Sequence, residues 1–189
     1  MKIVLSNPIE IENEFIQVNA LFEEGLTHFH LRKPDFSKRE VEEYLKNIKP
    51  IYLKRVVLHS HHDLIKKYNM KGIHLRGKDF QLFSNDVLIT LVKDLQKRGF
   101  TASASLHAFE EIESLPCRLD YAFLSPIFQS ISKQDYPSAF SKDELANFFQ
   151  QRKSKIPIVA LGGVREENLE QLQQIGFAGI ALLGSIWQS

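Results

Sequence analysis

The chain has 189 residues, 43% of them hydrophobic, which is enough to bury one substantial core, and no Pro/Gly/Ser-rich linker divides it, so one domain over residues 1–189 is expected. Lys and Arg number 24 against 23 Asp and Glu, a balance that supplies no overall field for a nucleic-acid backbone or an anionic membrane. A single cysteine, Cys117, excludes an internal disulfide and a cysteine metal cage.

Short β-branched or apolar runs alternate with patterns of helical spacing along the whole length. The first strand is expected at residues 2–6, followed by a helix with Phe15, Val18 and Phe22 on one face and Gly25 at its C-terminal stop. A strand at 27–32 ends in His30-Leu31-Arg32, and Ser37 with Glu40 three residues on fits a capping box. The strand at 55–59 leads into His61 and His62, read as the start of a solvated helix that ends at Lys66-Lys67. After a strand at 72–75 comes a loop with Asp79, then a helix carrying Val87, Leu88, Leu91, Val92 and Leu95 that stops at Gly99. Strands at 101–107 and 120–124 follow. Ser141 with Glu144 opens a helix bearing Leu145, Phe148 and Phe149. A strand at 157–161 runs into Gly162-Gly163, a helix with Leu169, Leu172 and Ile175 stops at Gly176, and a last strand at 179–183 runs into Gly184.

Eight strands, nearly all joined by helices, require right-handed parallel crossovers, and the closed solution is a (β/α)₈ TIM barrel of the α/β class. Only five residues follow Gly184, so the helix after strand eight is expected to be missing or very short. The thin flank this leaves is expected to be covered by a homodimer partner or by Ile186 and Trp187 folding back. No run of about 18 apolar residues occurs, and Ile3-Val4-Leu5 is too short for a secretion signal. With one cysteine, this suits a cytoplasmic protein.

In such barrels the site lies at the C-terminal strand ends, with a phosphate subsite after strands seven and eight, where Gly163 and Gly184 fall. The loop after strand six, Ser125 to Lys133, adds the hydroxyls of Ser130 and Ser132 and the Lys133 ammonium, a set suited to a phosphoryl group. Period-2 alternation puts His30 and Arg32 on one face. Facing the helix layer would cost Arg32 several kcal/mol, so it is expected in the mouth, aimed at an anion. His30, His59, His74 and His107 all end strands. Their spacing matches no ligand pattern, and a hydrogen-bonded wall is the plainer expectation. Asp79 is open between a metal or proton role and a turn or cap residue.

Taken in order, His30-Leu31-Arg32, Gly72-Ile73-His74-Leu75 with Asp79, Ser105-Leu106-His107 with Glu111, the stretch from Asp120 to Lys133, Ala160-Leu161-Gly162-Gly163 with Asn168, and residues 179–186 resemble the thiamine phosphate synthase and TenI superfamily. The resemblance implies a synthase that joins a hydroxymethylpyrimidine diphosphate to a thiazole phosphate and releases pyrophosphate with Mg²⁺. It also implies roles: Arg32, Ser105, Ser130, Ser132 and Lys133 on the pyrophosphate, Asp79 on Mg²⁺, and Gly163 and Gly184 on the thiazole phosphate. The chain departs from the family pattern in three places. Gln-x-Arg-x-Lys is replaced by His30, Arg32 and Pro34, with Lys33 one place early and so on the opposite face. Asn-Asp after strand three is replaced by His59-Ser60, and the histidine of the TenI strand-six loop by Pro126. Two alternatives stay open: a TenI-like thiazole phosphate tautomerase using His30 or His107, and a non-catalytic binder of the same ligands.

Overall fold

The chain closes into a parallel eight-stranded barrel, β1 to β8 in sequence order, in a computed structural model that describes residues 1–128 and 139–187. The strands are β1 (Lys2–Leu5), β2 (His28–Leu31), β3 (Val56–Leu58), β4 (Gly72–Leu75), β5 (Thr101–Leu106), β6 (Tyr121–Leu124), β7 (Ile158–Ala160) and β8 (Gly179–Leu182). Each lies within about a residue of its expected limits. Around them stand α1 (Glu14–Glu23), α2 (Lys38–Lys46), α3 (Leu64–Lys67), α4 (Gly77–Leu82), α5 (Asn85–Lys97), α6 (Phe109–Glu113), α7 (Lys142–Gln151) and α8 (Leu169–Ile175).

Alternation along each strand creates two cores. Val4, Phe29, Leu31, Val56, Leu58 and Ile73 face outward and pack with Val18, Phe22, Val41 and Leu45 of the helices. Ile3, Leu5, Tyr121, Phe123, Val159 and Ala181 form a second cluster inside the barrel. That cluster draws on β1, β6, β7 and β8 only. Apart from Val57, the inward side chains of β2 to β5 and their ends are polar, among them His30, His59, His74 and Ser103, all buried. One half of the barrel interior is therefore oily and the other is a bank of hydrogen-bonding groups, which meet where His30 and His74 lie 4.9 and 4.8 Å from the Phe123 ring.

Both expected capping boxes form, Ser37 with Glu40 and Ser141 with Glu144. Gly25, Gly99 and Gly176 turn the chain with positive φ at helix ends. Val87 departs from expectation and is 48% exposed, because the buried stripe of α5 is Leu88, Val92 and Leu95 and Val87 sits about 100° off it. His62 is half-buried rather than solvated, with Nε2 enclosed and without a hydrogen-bond partner among the described residues.

After β8 the described residues make a turn, not a helix. Trp187 folds back over this flank, packs against the outer core and donates its indole N–H to Leu5 O at 2.8 Å. The chain thus supplies its own cover. No helix among the described residues is long and apolar enough to cross a membrane.

Candidate active site

Two residues at the end of β2 face opposite ways, and that sets the site. Lys33 points into the helix layer, 2% exposed, and its ammonium pairs with the equally buried Glu14 and donates to Ile9 O at 2.7 Å. Glu14 Oε1 also accepts from Asn7 N at 2.8 Å, and burial, outweighing Lys33, raises the Glu14 carboxyl above its usual range. Between these contacts Ser6 Oγ accepts from Arg32 N at 2.7 Å and donates to Arg32 O at 3.0 Å. The loops after β1 and β2 are thereby bolted together. Arg32 is left pointing into the mouth of the barrel, where it lines a cavity of about 530 Å³.

The floor of that cavity is histidine. His30 Nδ1 lies 2.9 Å from His59 Nε2, and His30 Nε2 lies 2.7 Å from the Tyr121 hydroxyl. The rings of His59 and His74 stack 4.1 Å apart at 17°. Ser103 Oγ gives its proton to Ile73 O, so His74 Nδ1–H donates to Ser103 Oγ at 2.9 Å and His74 Nε2 accepts from Ser105 Oγ at 2.8 Å. Burial is the main cause that holds all three imidazoles neutral: His74 is lowered to about 3, and His30 and His59 fall well below the ordinary value. The Arg32 charge adds to this at His59 and His74, and the Arg76 charge at His74.

Ring nitrogens of His30, His59 and His74 lie within 4.8 Å of one another, which raises a metal centre. The packing argues for a wall instead. Stacked rings send their lone pairs along parallel planes rather than to one point, and both His30 nitrogens already have partners.

Across the barrel, Gly162 and Gly163 adopt positive φ, and Gly163 and Gly184 both line the cavity. Neither Gly163 nor Gly184 has a backbone N–H partner among the described residues, so both donors remain for an anion. Gly162 is confined by Pro126, whose Cα would lie 2.8 Å from an added Cβ. Gly162→Ala, with a φ of +89° as well, should cost about 1–3 kcal/mol, read as a lower urea midpoint.

The other expected site residues are distributed as follows. His107 lines the cavity, and because its Nδ1–H donates to Ser125 O at 2.9 Å, Nε2 is its remaining ring nitrogen. Ser105 lines it too, but its hydroxyl proton is given to His74, so in this arrangement it offers a phosphate no donor. His30 is fully buried beneath the floor, out of reach of a ligand; as a catalytic residue it is corrected to a support for His59. Asp79 accepts from Arg76 N at 2.7 Å at the start of α4 and meets the Arg76 guanidinium at 3.3 and 3.5 Å. It lines a separate cavity of about 370 Å³ beside His62 and Phe83. Ser130, Ser132 and Lys133 lie outside the described residues.

Arg76 lines the main cavity and was not expected there. The argument used for Arg32, a cation at a strand's C-terminal end, applies to it equally and could have found it.

The thiamine monophosphate synthase family matches residues 3–186. The thiamine-phosphate synthase of Bacteroides fragilis is 25% identical over 174 residues, 88% of this chain and 82% of that one. That of Flavobacterium psychrophilum is 26% identical over 186 residues, 95% and 87% of the two chains. Among solved structures, thiamine phosphate pyrophosphorylase from Bacteroides thetaiotaomicron superposes with a TM-score of 0.75 and 31% identity, covering 99% of this chain and 85% of that one. A 3-hexulose-6-phosphate synthase, 14% identical with a TM-score of 0.64, shares the barrel alone. With its strand-end anion donors facing one cavity and the family match spanning nearly its full length, the chain belongs to the thiamine monophosphate synthase family.

Proposed function

We propose that the cavity joins a hydroxymethylpyrimidine diphosphate to a thiazole phosphate, as a transferase of thiamine biosynthesis. The bond from the pyrimidine methylene carbon to the diphosphate oxygen breaks, and its electron pair leaves with pyrophosphate. The thiazole nitrogen lone pair then forms the new C–N bond. No proton need move in the bond-making step, so the protein's work is to hold two anions and to stabilise the departing one. One observation carries this reading: Arg32 after β2 and the N–H groups of Gly163 and Gly184 after β7 and β8, which have no partner among the described residues, line one cavity, with only β1 between β2 and β8. That gives two anion subsites at neighbouring strand ends, with the neutral histidine floor on the β2 to β4 side.

The tautomerase alternative rests on His107 alone, whose Nδ1–H is given to Ser125 O, because Pro126 stands in place of the strand-six histidine and His30 is enclosed. Phosphate contacts from Ser130, Ser132 and Lys133 are part of the proposal on the strength of their sequence alone. A Mg²⁺ ion would look for carboxylate oxygens. Among the described lining residues the mouth offers arginines and histidines, and Asp79 is engaged by Arg76 and turned to another cavity. The donor set does not fit the ion, and no step is routed through it. A homodimer is part of the proposal; with Trp187 already engaged by its own chain, the dimer is expected to survive Trp187→Ala in light scattering.

Arg32→Ala tests the reading. Loss of a charge-assisted contact worth about 1.5–3 kcal/mol should lower kcat/KM for the diphosphate substrate about 10- to 100-fold, with the melting temperature little changed. An unchanged kcat/KM would remove Arg32 from the site.

A further inference from the structure

Arg76 and Asp79 make an arrangement that the resemblance does not supply. Arg76 begins the loop after β4 and lines the main cavity, on the side of the barrel opposite Gly184. Its guanidinium is held from behind by Asp79, whose carboxylate also caps α4 by accepting from the Arg76 backbone N–H. Arg32 enters the same cavity two strands away and meets no carboxylate among the described residues. Both guanidiniums bear electrostatically on His74, which lines the same cavity. Two planar forks lining one cavity suit a group with many anionic oxygens better than a single phosphate ester does.

We infer that Arg76 is a second diphosphate-binding residue, which with Arg32 takes up the charge of the leaving pyrophosphate, and that Asp79 serves as the support of Arg76 rather than as a metal ligand. The inference rests on reading this cavity as a diphosphate site. It assigns to a pair of arginines the neutralisation that a hard cation held by two carboxylates would otherwise provide. Nothing in the fold forbids this exchange. A guanidinium carries its charge at any pH of interest and needs no metal supply.

The test is calorimetry of the full chain with inorganic pyrophosphate, once in EDTA and once in excess Mg²⁺, on the parent, Arg32→Ala, Arg76→Ala, Arg76→Lys and Asp79→Asn. The parent should bind in EDTA. Arg76→Ala should weaken that binding about 10- to 100-fold, and Arg76→Lys, which keeps the charge but loses the fork, by less. Asp79→Asn should not make binding depend on Mg²⁺. Thermal melts of each variant check that the fold is kept, and Arg76 is accessible enough for its removal to be tolerated. Binding by the parent only with Mg²⁺, and its loss in Asp79→Asn, would overturn the inference and restore Asp79 as a metal ligand. If Arg32→Ala weakens binding and Arg76→Ala does not, the diphosphate reading stands and this inference falls. A parent that binds no pyrophosphate in either buffer, or an Arg32→Ala with no effect, refutes both.

Discussion

Acid should unfold this protein steeply between pH 6.5 and 5. Burial lowers the imidazoles of His30, His59 and His74 far below the 6.5 they have in the unfolded chain, and His74 reaches about 3. The sign follows from which state binds the proton. Above pH 6.5 both states hold these rings neutral and the full stability is present; below it the unfolded chain takes up protons that the folded one refuses. Each such ring costs about 1.4 kcal/mol per pH unit, so three cost about 4 kcal/mol per unit, against a total stability of about 5–15 kcal/mol for a typical domain. His28, lowered to about 4 chiefly by burial, adds to the same loss until pH falls through its folded value. Urea midpoints at pH 7, 6 and 5 measure the slope. A midpoint that stays flat over that range would show that the floor accepts protons in the folded state, and the neutral-wall description would be wrong.

The second large effect belongs to Glu14. Lys33 is enclosed against the rings of Phe36 and Tyr44, at 5.5 and 5.6 Å from their centroids, with Glu14 as its only carboxylate partner among the described residues. Glu14→Ala strands an ammonium in that pocket and should cost about 3–5 kcal/mol, read as a large fall in urea midpoint. Glu14→Leu combined with Lys33→Met replaces the pair by apolar volume and should recover most of the loss. Recovery would identify the uncompensated charge as the cause. If Glu14→Ala is as stable as the parent, Lys33 reaches solvent and the bolt between the first two loops is not a fixed feature.

The lysine also shows what could be seen in the sequence and what could not. Its displacement by one position from the family pattern, together with strand alternation, correctly places it on the helix side. Its partner could not be foreseen, because Glu14 is 19 residues away on another element. The barrel was legible because strand and helix periods alternate cleanly and because Gly163 and Gly184 mark the ends of the last two strands. The short helices α4 and α6 were not, since five or six residues cannot display a helical repeat. His30 and His59 each read as lone strand-end residues. Only the closed barrel brings β2, β3 and β4 side by side and turns separate histidines into a stack, and only side-chain geometry tells that stack from a metal cage. Asp79 was open between ligand and cap for the same reason: a carboxylate three residues after Arg76 serves either role until the direction of its oxygens is known.

The central claim is that this chain makes the bond between the two phosphorylated halves of thiamine phosphate. Its most direct test is to incubate the full chain with hydroxymethylpyrimidine diphosphate and thiazole phosphate and to quantify thiamine phosphate and pyrophosphate together. The account predicts both products in equal amounts, with formation strongly reduced in Arg32→Ala. Saturable binding of both substrates with no product, in EDTA and in Mg²⁺ alike, would contradict it and leave a binder built on a synthase barrel.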